Sequence, residues 1–274
     1  MRSGPGPSIA FLADSDVSIH QWLSQQGHRL GRHPVLDALS HGRCPPSLVI
    51  WAWRRRKSIA DTFLVLLSRT QSLAIQEGRT ELARAIHVNL SDEAGLDPDS
   101  GQPTGRGAHR EWARWLIEAL EAVEPAGASP LPPAASDRPQ WNVMPFDEDD
   151  GLALLAGMCM AVEKCIPIEF QAFLHALEAA FPQLGDAGHP RALHYLRDHI
   201  EHDERRHLPD LVDGFLGRAP GCDRSALAAD LERQSQDLAS GVERILTLRL
   251  RFYDALLADA CLLSAEASGI FPGA

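Results

Sequence analysis

Tyr195–Pro209 reads YLRDHIEHDERRHLP, and the rest of the chain is best read outward from it. Three histidines and four acids fall within a few helical turns. His199, Asp203 and His207 stand at i, i+4 and i+8. At about 100° per residue they share a helix face roughly 80° wide. An imidazole and a carboxylate one turn apart can hold a metal ion from the same side, and His207 extends that face by another turn. Such a metal would be undersupplied by one helix, because mixed imidazole and carboxylate sites in bundles draw further ligands from facing helices.

Two other stretches offer them. In HVNLSDEAG (His87–Gly95), Glu93 ends a helical segment, and His109 opens the next one. A carboxylate at one helix end and an imidazole at the start of the following helix can converge across the loop between them. A solvated helix end and a surface histidine are the plainer alternatives. In GMCMAVEKCIP, Glu163 is the one acid between Leu152 and Ile168. Its apolar setting demands a partner, since burying a bare charge is costly. An ion pair inside the bundle or a metal would meet that demand.

Helical periodicity runs through most of the chain. A short helix is expected over Val17–Gln25 and another over His33–His41. Long ones follow over Pro46–Gln76, Glu81–Glu93, Ala108–Val123, Leu152–Phe181, His189–Phe215 and Arg224–Ser264. Gly78 and Gly95 read as helix stops, Thr80 as a cap, and Pro167 as a kink or break. The basic run Arg54–Lys57 reads as a solvated face, or as counter-charge for an acidic substrate. Residues 1–32 form an N-terminal arm, and 33–270 a single helical-bundle domain with a Pro-rich linker at 124–146. No strand pattern interrupts this, so the fold class is all-α.

A net charge of −11 argues against nucleic acid or an anionic membrane as the main partner. No apolar run reaches the roughly 18–20 residues of a membrane span. MRSGPGPSIAFLADSD makes a poor signal peptide. The five cysteines form no CxxC pair, which points to reduced thiols and a cytoplasmic location.

HPVLDAL, NLSDEAG, VEKCIP and HIEHDERRH, in that order and on those helices, resemble the heme-oxygenase-like diiron oxidases and oxygenases, which are distantly similar to the thiaminase-II-like fold. The resemblance spans roughly Gly31–Phe215. It implies a heme-oxygenase-like seven-helix bundle holding two Fe(II) ions, with O2 as cosubstrate and the second iron site weaker. It further implies Glu93, His109, Glu163, His199, Asp203 and His207 as ligands, with no catalytic residue beyond them. The usual last motif would put its second histidine at position 206, where this chain has Arg206. His207 fills that place only if the helix takes in one extra residue, for instance as a π-bulge. The loop before His109 is long, so His87 or a water could replace it. At the depth of the first-helix ligand the nearby acid is Asp61, whose side chain is shorter than a Glu.

The activity so implied is O2-dependent oxidation of a small metabolite in specialised-metabolite biosynthesis. The substrate would be an amino acid, or a peptide-derived or fatty-acid-like compound. Outcomes include N-oxygenation, desaturation and C–C cleavage. Partners would be the substrate and an electron donor, with a homodimer compatible. The alternative is a non-catalytic or metal-free helical-bundle binding protein, either thiaminase-II-like or a decayed diiron fold.

Overall fold

The computed structural model describes residues 16–123, 146–185, 191–217 and 224–263, without the side chains of 16–18, 57–61, 185, 202–204, 224–233 and 259–263. The Pro-rich linker, apart from Phe146, lies outside the described residues, as do Cys222 and the side chain of Cys261.

The helices are α1 (Asp16–Gly31), α2 (Pro34–Ser40), α3 (Pro46–Gln76), α4 (Thr80–Ala94), α5 (His109–Val123), α6 (Leu152–Ala180), α7 (His194–His202), α8 (Leu208–Leu216) and α9 (Arg224–Leu263). A 3-10 turn (Pro182–Gly185) follows α6, and a π turn (Asp203–His207) joins α7 directly to α8. With α7, the π turn and α8 taken as one continuous rod, the described residues form seven rods and the short α2. No strand occurs among them, only an isolated bridge between Leu96 and Pro103.

The bundle is built around α6. Its apolar residues are spread over the whole circumference, so it can only be stable when covered on all sides. It packs against α1, α2, α3, α7, α8 and α9. Two acids on α6 are thereby enclosed in the interior, since Glu163 and Glu169 are both fully buried. Pro167 lies inside the helix without ending it. It has no N–H to give to the carbonyl of Glu163, one turn earlier. Contact with α9 is closest at two glycines. A Cβ on Gly157 would stand 2.1 Å from the Leu238 carbonyl oxygen, and one on Gly241 2.0 Å from that of Leu154.

Several sequence expectations change in detail. α1 runs on to Gly31, six residues past the expected end, because Leu30 continues the buried face of Ile19 and Leu23. Thr80 is not the cap of α4. Arg79 holds the N-cap position, and the Thr80 hydroxyl donates back to the Gly78 carbonyl at 3.4 Å. Arg56 leaves the solvated basic run altogether: it is buried and ion-paired with Glu169 across the α3–α6 contact. Arg54 stays exposed, and the side chain of Lys57 lies outside the described residues. Among the described residues no helix is long and apolar enough to cross a membrane.

Candidate metal centre

The C-terminal turns of α4 carry Asn89, Asp92 and Glu93, three and four residues apart, so they share one face. Gly95, with φ +71°, ends the helix in the left-handed conformation that glycine adopts without penalty. The loop that follows closes on its own base. Thr104 N–H donates to the Gly95 carbonyl at 2.9 Å, and the Trp112 indole donates to the Arg106 carbonyl at 2.7 Å. At the base the backbones of Gly95 and Gly107 touch: a Cβ on Gly95 would lie 2.5 Å from the Gly107 carbonyl carbon. That contact brings the end of α4 and the start of α5 together despite the length of the loop.

His109 therefore arrives buried beside Glu93, with its Nδ1 3.2 Å from Glu93 Oε2. The angle is too poor for a hydrogen bond, and Nδ1 has no hydrogen-bond partner. His199 approaches from α7, its Nε2 3.8 Å from Glu93 Oε1 and its ring 4.4 Å from that of His109. His199 Nδ1 donates to the Tyr195 carbonyl at 2.9 Å, which holds the ring so that Nε2 faces Glu93. Glu93, His109 and His199 each offer a ligand atom, all within 4.8 Å of one another. Burial alone would raise the Glu93 pKa. The charge of His109 first, and then the nearness of His199, outweigh it and hold the carboxyl well below its ordinary range, as an anion.

Glu163 and His207 meet beside Asn89 and Asp92 of α4. His207 Nδ1 lies 3.8 Å from Glu163 Oε2, and its Nε2 hydrogen-bonds Asp92 Oδ2 at 3.1 Å. Asn89 donates its side-chain amide to Glu163 Oε1. The π turn takes in the extra residue between His199 and His207, which is how a histidine one step late comes to sit buried against Glu163. Asp92 is half-buried. Burial raises its pKa, but the His207 hydrogen bond and the nearby Arg206 guanidinium together bring it below its usual value.

The structure thus brings Glu93, His109 and His199 into one cluster and places Glu163 beside His207. The side chains of Asp61 and Asp203 lie outside the described residues. His87, the possible substitute for His109, is exposed, and its Nε2 contacts the Pro98 carbonyl at 3.0 Å. The sequence alone assigns no role to Asn89, Asp92 or Asp198. The carboxylate of Asp198 stands 3.9 Å from His109 Nε2, on the opposite edge of that ring from Glu93. Asp92 was visible as the acid next to Glu93, whereas Asn89 had only its place one turn earlier on the same face. Asp92, Arg106, His109, Asp198, Arg206 and His207 line an opening to the surface.

Phe170 and Tyr195 close the inner side, with ring centroids 5.1 and 4.5 Å from His199. The donor set suits a metal. It combines a deprotonated carboxylate with two buried imidazoles, one of them carrying an unpaired ring nitrogen.

No protein-family model matches the chain, and no curated protein does. Among solved structures it is similar to a CADD-like protein of unknown function from Nostoc punctiforme. That likeness has a TM-score of 0.60 and 13% identity, and covers 89% of this chain and 99% of the other. At that identity the likeness carries the fold alone, an all-α bundle of the heme-oxygenase-like type.

Proposed function

We propose that the chain is a nonheme diiron oxidase or oxygenase acting on a small metabolite. The observation that carries this reading is the convergence of Glu93, His109 and His199, with the His109 Nδ1 left without a hydrogen bond in a buried site. Two Fe(II) ions held there would supply reductive activation of O2, with an external electron donor completing the reaction. Glu93, His109 and His199 would hold the first ion. Glu163 and His207 would hold the second, with Asp203 on the same helical rod and Asp61 as a weaker ligand from α3.

The chain's own residues do the rest. The Tyr195 carbonyl holds the His199 ring so that Nε2 faces Glu93. Asn89 fixes the Glu163 carboxylate, and Asp92 holds the His207 ring. Phe170, Tyr195 and the apolar turns of α6 around Glu163 exclude water from the inner side. A substrate would enter by the opening next to His109 and Asp198. The products that fit are those of N-oxygenation, desaturation or C–C cleavage of an amino acid, peptide-derived or fatty-acid-like compound, made in the cytoplasm for specialised-metabolite biosynthesis.

A second reading has one observation in its favour. Both ring nitrogens of His207 already face carboxylates, Asp92 and Glu163, so this half of the site is internally paired. A bundle that binds one metal, or none, without catalysis would look like this. The thiaminase-like branch is less well supported. It relies on a reactive thiol, and burial pushes Cys159 and Cys165 up to about 12.

The test is anaerobic Fe(II) titration of metal-free protein, followed by exposure to O2 with candidate substrates. Two equivalents bound, a transient visible absorption band and O2 consumption are expected. No iron uptake would sink the proposal, and one equivalent without O2 consumption would favour the second reading.

A further inference from the structure

A second polar cluster lies deep in the bundle, where α3, α6 and α9 meet. Arg56 donates to Glu169 Oε2 from Nη2 at 2.8 Å and from Nε at 3.2 Å. Arg249 approaches the other carboxylate oxygen, but its Nε stops 3.6 Å short of Oε1. Arg56, Glu169, Arg249 and Tyr253 are each 2% exposed or less. Two guanidiniums and one carboxylate leave an excess positive charge in the core, which is costly unless an anion compensates it.

The hydrogen bonds show the same imbalance. Arg249 Nε, Arg249 Nη1, the Tyr253 hydroxyl and the Trp53 indole N–H are all buried without a hydrogen-bond partner. On the acceptor side only Glu169 Oε1 is unpaired within this group. Buried polar groups in folded proteins are almost always satisfied, so an excess of donors marks a place where an acceptor is expected. Burial, and then the Glu169 charge, raise the Tyr253 pKa well above its ordinary value, so its hydroxyl remains a neutral donor.

The cluster adjoins the metal centre. Arg56 Cζ sits 4.4 Å from the Phe170 ring centroid, and the same ring lies 5.1 Å from His199. Trp53 packs on Phe170 at 5.6 Å and on Tyr195 at 6.0 Å. One aromatic layer is therefore shared between the candidate ligands and the unpaired donors.

We propose that Arg249, Tyr253 and Trp53, with Arg56 and Glu169 as their fixed frame, form a subsite for the carboxylate of a small organic acid. A carboxylate is the group that cancels one positive charge and accepts from several donors at once. Identifying this acid as the substrate of the metal centre rests on the oxidase reading. The anion site does not depend on it.

The experiment is thermal-shift and calorimetric titration of metal-free protein with sodium hexanoate, with hexanamide and sodium chloride as parallel arms. Hexanoate is expected to raise Tm in a dose-dependent way, with no effect from the amide or chloride at equal concentration. Arg249→Met should abolish the response, and Tyr253→Phe should weaken hexanoate binding about tenfold. Because Tyr253→Phe removes a single oxygen and no charge from the buried cluster, it serves even where Arg249→Met fails to fold.

No shift with hexanoate, an equal shift with hexanamide or chloride, or an unchanged response in Tyr253→Phe would overturn the proposal. Fe(II) uptake is measured separately on each protein. Wild type that binds hexanoate but no Fe(II) would refute the metal reading and leave this subsite standing.

Discussion

Asp92 and Glu93 are neighbours in sequence and face different histidines. Asp92 holds His207 through a 3.1 Å hydrogen bond, while Glu93 stands 3.2 Å from His109 and 3.8 Å from His199. Consecutive residues on a helix differ by about 100°. The last turn of α4 therefore works as a wedge between the two histidine groups, and each group can be perturbed separately.

On the proposed diiron reading, His199→Ala should remove the metal held with Glu93 and His109 without unfolding the bundle. The expected stability change is about 1–2 kcal/mol, in the range of ordinary core truncations. Fe(II) affinity should fall by at least about 100-fold, because a ligand and its Tyr195-anchored orientation go together. Circular dichroism and iron titration on the same sample check this. Unfolding with iron binding unchanged would mark His199 as a core residue only.

Deleting Arg205 should be tolerated. The π turn holds one residue more than an α-helix needs, and Arg205 is exposed within it. Its removal lets the turn relax to α-helix while His207 keeps its place against Glu163. Iron stoichiometry should match wild type, and amide exchange across the turn should slow. Loss of one metal equivalent would show instead that the π geometry itself positions the ligand.

The bundle's helices were legible because a 3.6-residue apolar period records which face is buried, and Gly78 and Gly95 mark where that face stops. Glu93, His109, Glu163 and His199 were legible for a related reason: each is polar at a helix end or on an apolar face. Arg56 was not. RRRK looks like any solvated run, and what buries Arg56 is Glu169, which lies 113 positions away. Asn89 carries no charge to draw attention, and its role depends on Glu163 facing it across the core. Local pattern records which way a residue points. It does not record which residue of another helix will face it.

Gly157→Ala should cost about 3 kcal/mol, at the upper end of ordinary overpacking. The added Cβ meets backbone rather than a flexible side chain, 2.1 Å from the Leu238 carbonyl oxygen, so α9 must move outward. A lowered urea midpoint with an unchanged m-value is the expected readout. Gly241→Ala should behave alike from the α9 side.

Stability should decline on the alkaline side. Burial raises the Cys44 thiol to about 11 and the Cys159 and Cys165 thiols to about 12, from 9.0. Above pH 9.0 the unfolded chain releases these protons while the folded chain keeps them, so folding is favoured below that pH and loses ground above it. Each thiol contributes up to about 1.4 kcal/mol per pH unit in that window. Urea midpoints measured across it should fall, and Cys165→Ala should flatten the slope. Iodoacetamide should label none of the three in the native protein.

The touching backbones of Gly95 and Gly107 have a further consequence, for how such a protein can diversify. The loop is pinched at its neck, so the positions of Glu93 and His109 are set there and not by the segment beyond it. Residues 97–103 can then be lengthened, shortened or exchanged while Glu93 and His109 stay in place. The segment leads into Thr104 and Arg106 at the rim of the opening, so exchanging it would change the approach to that opening. On the proposed oxidase reading, the neck would separate selection of the guest from the residues that act on it, so that one scaffold would acquire a new substrate by editing a surface loop.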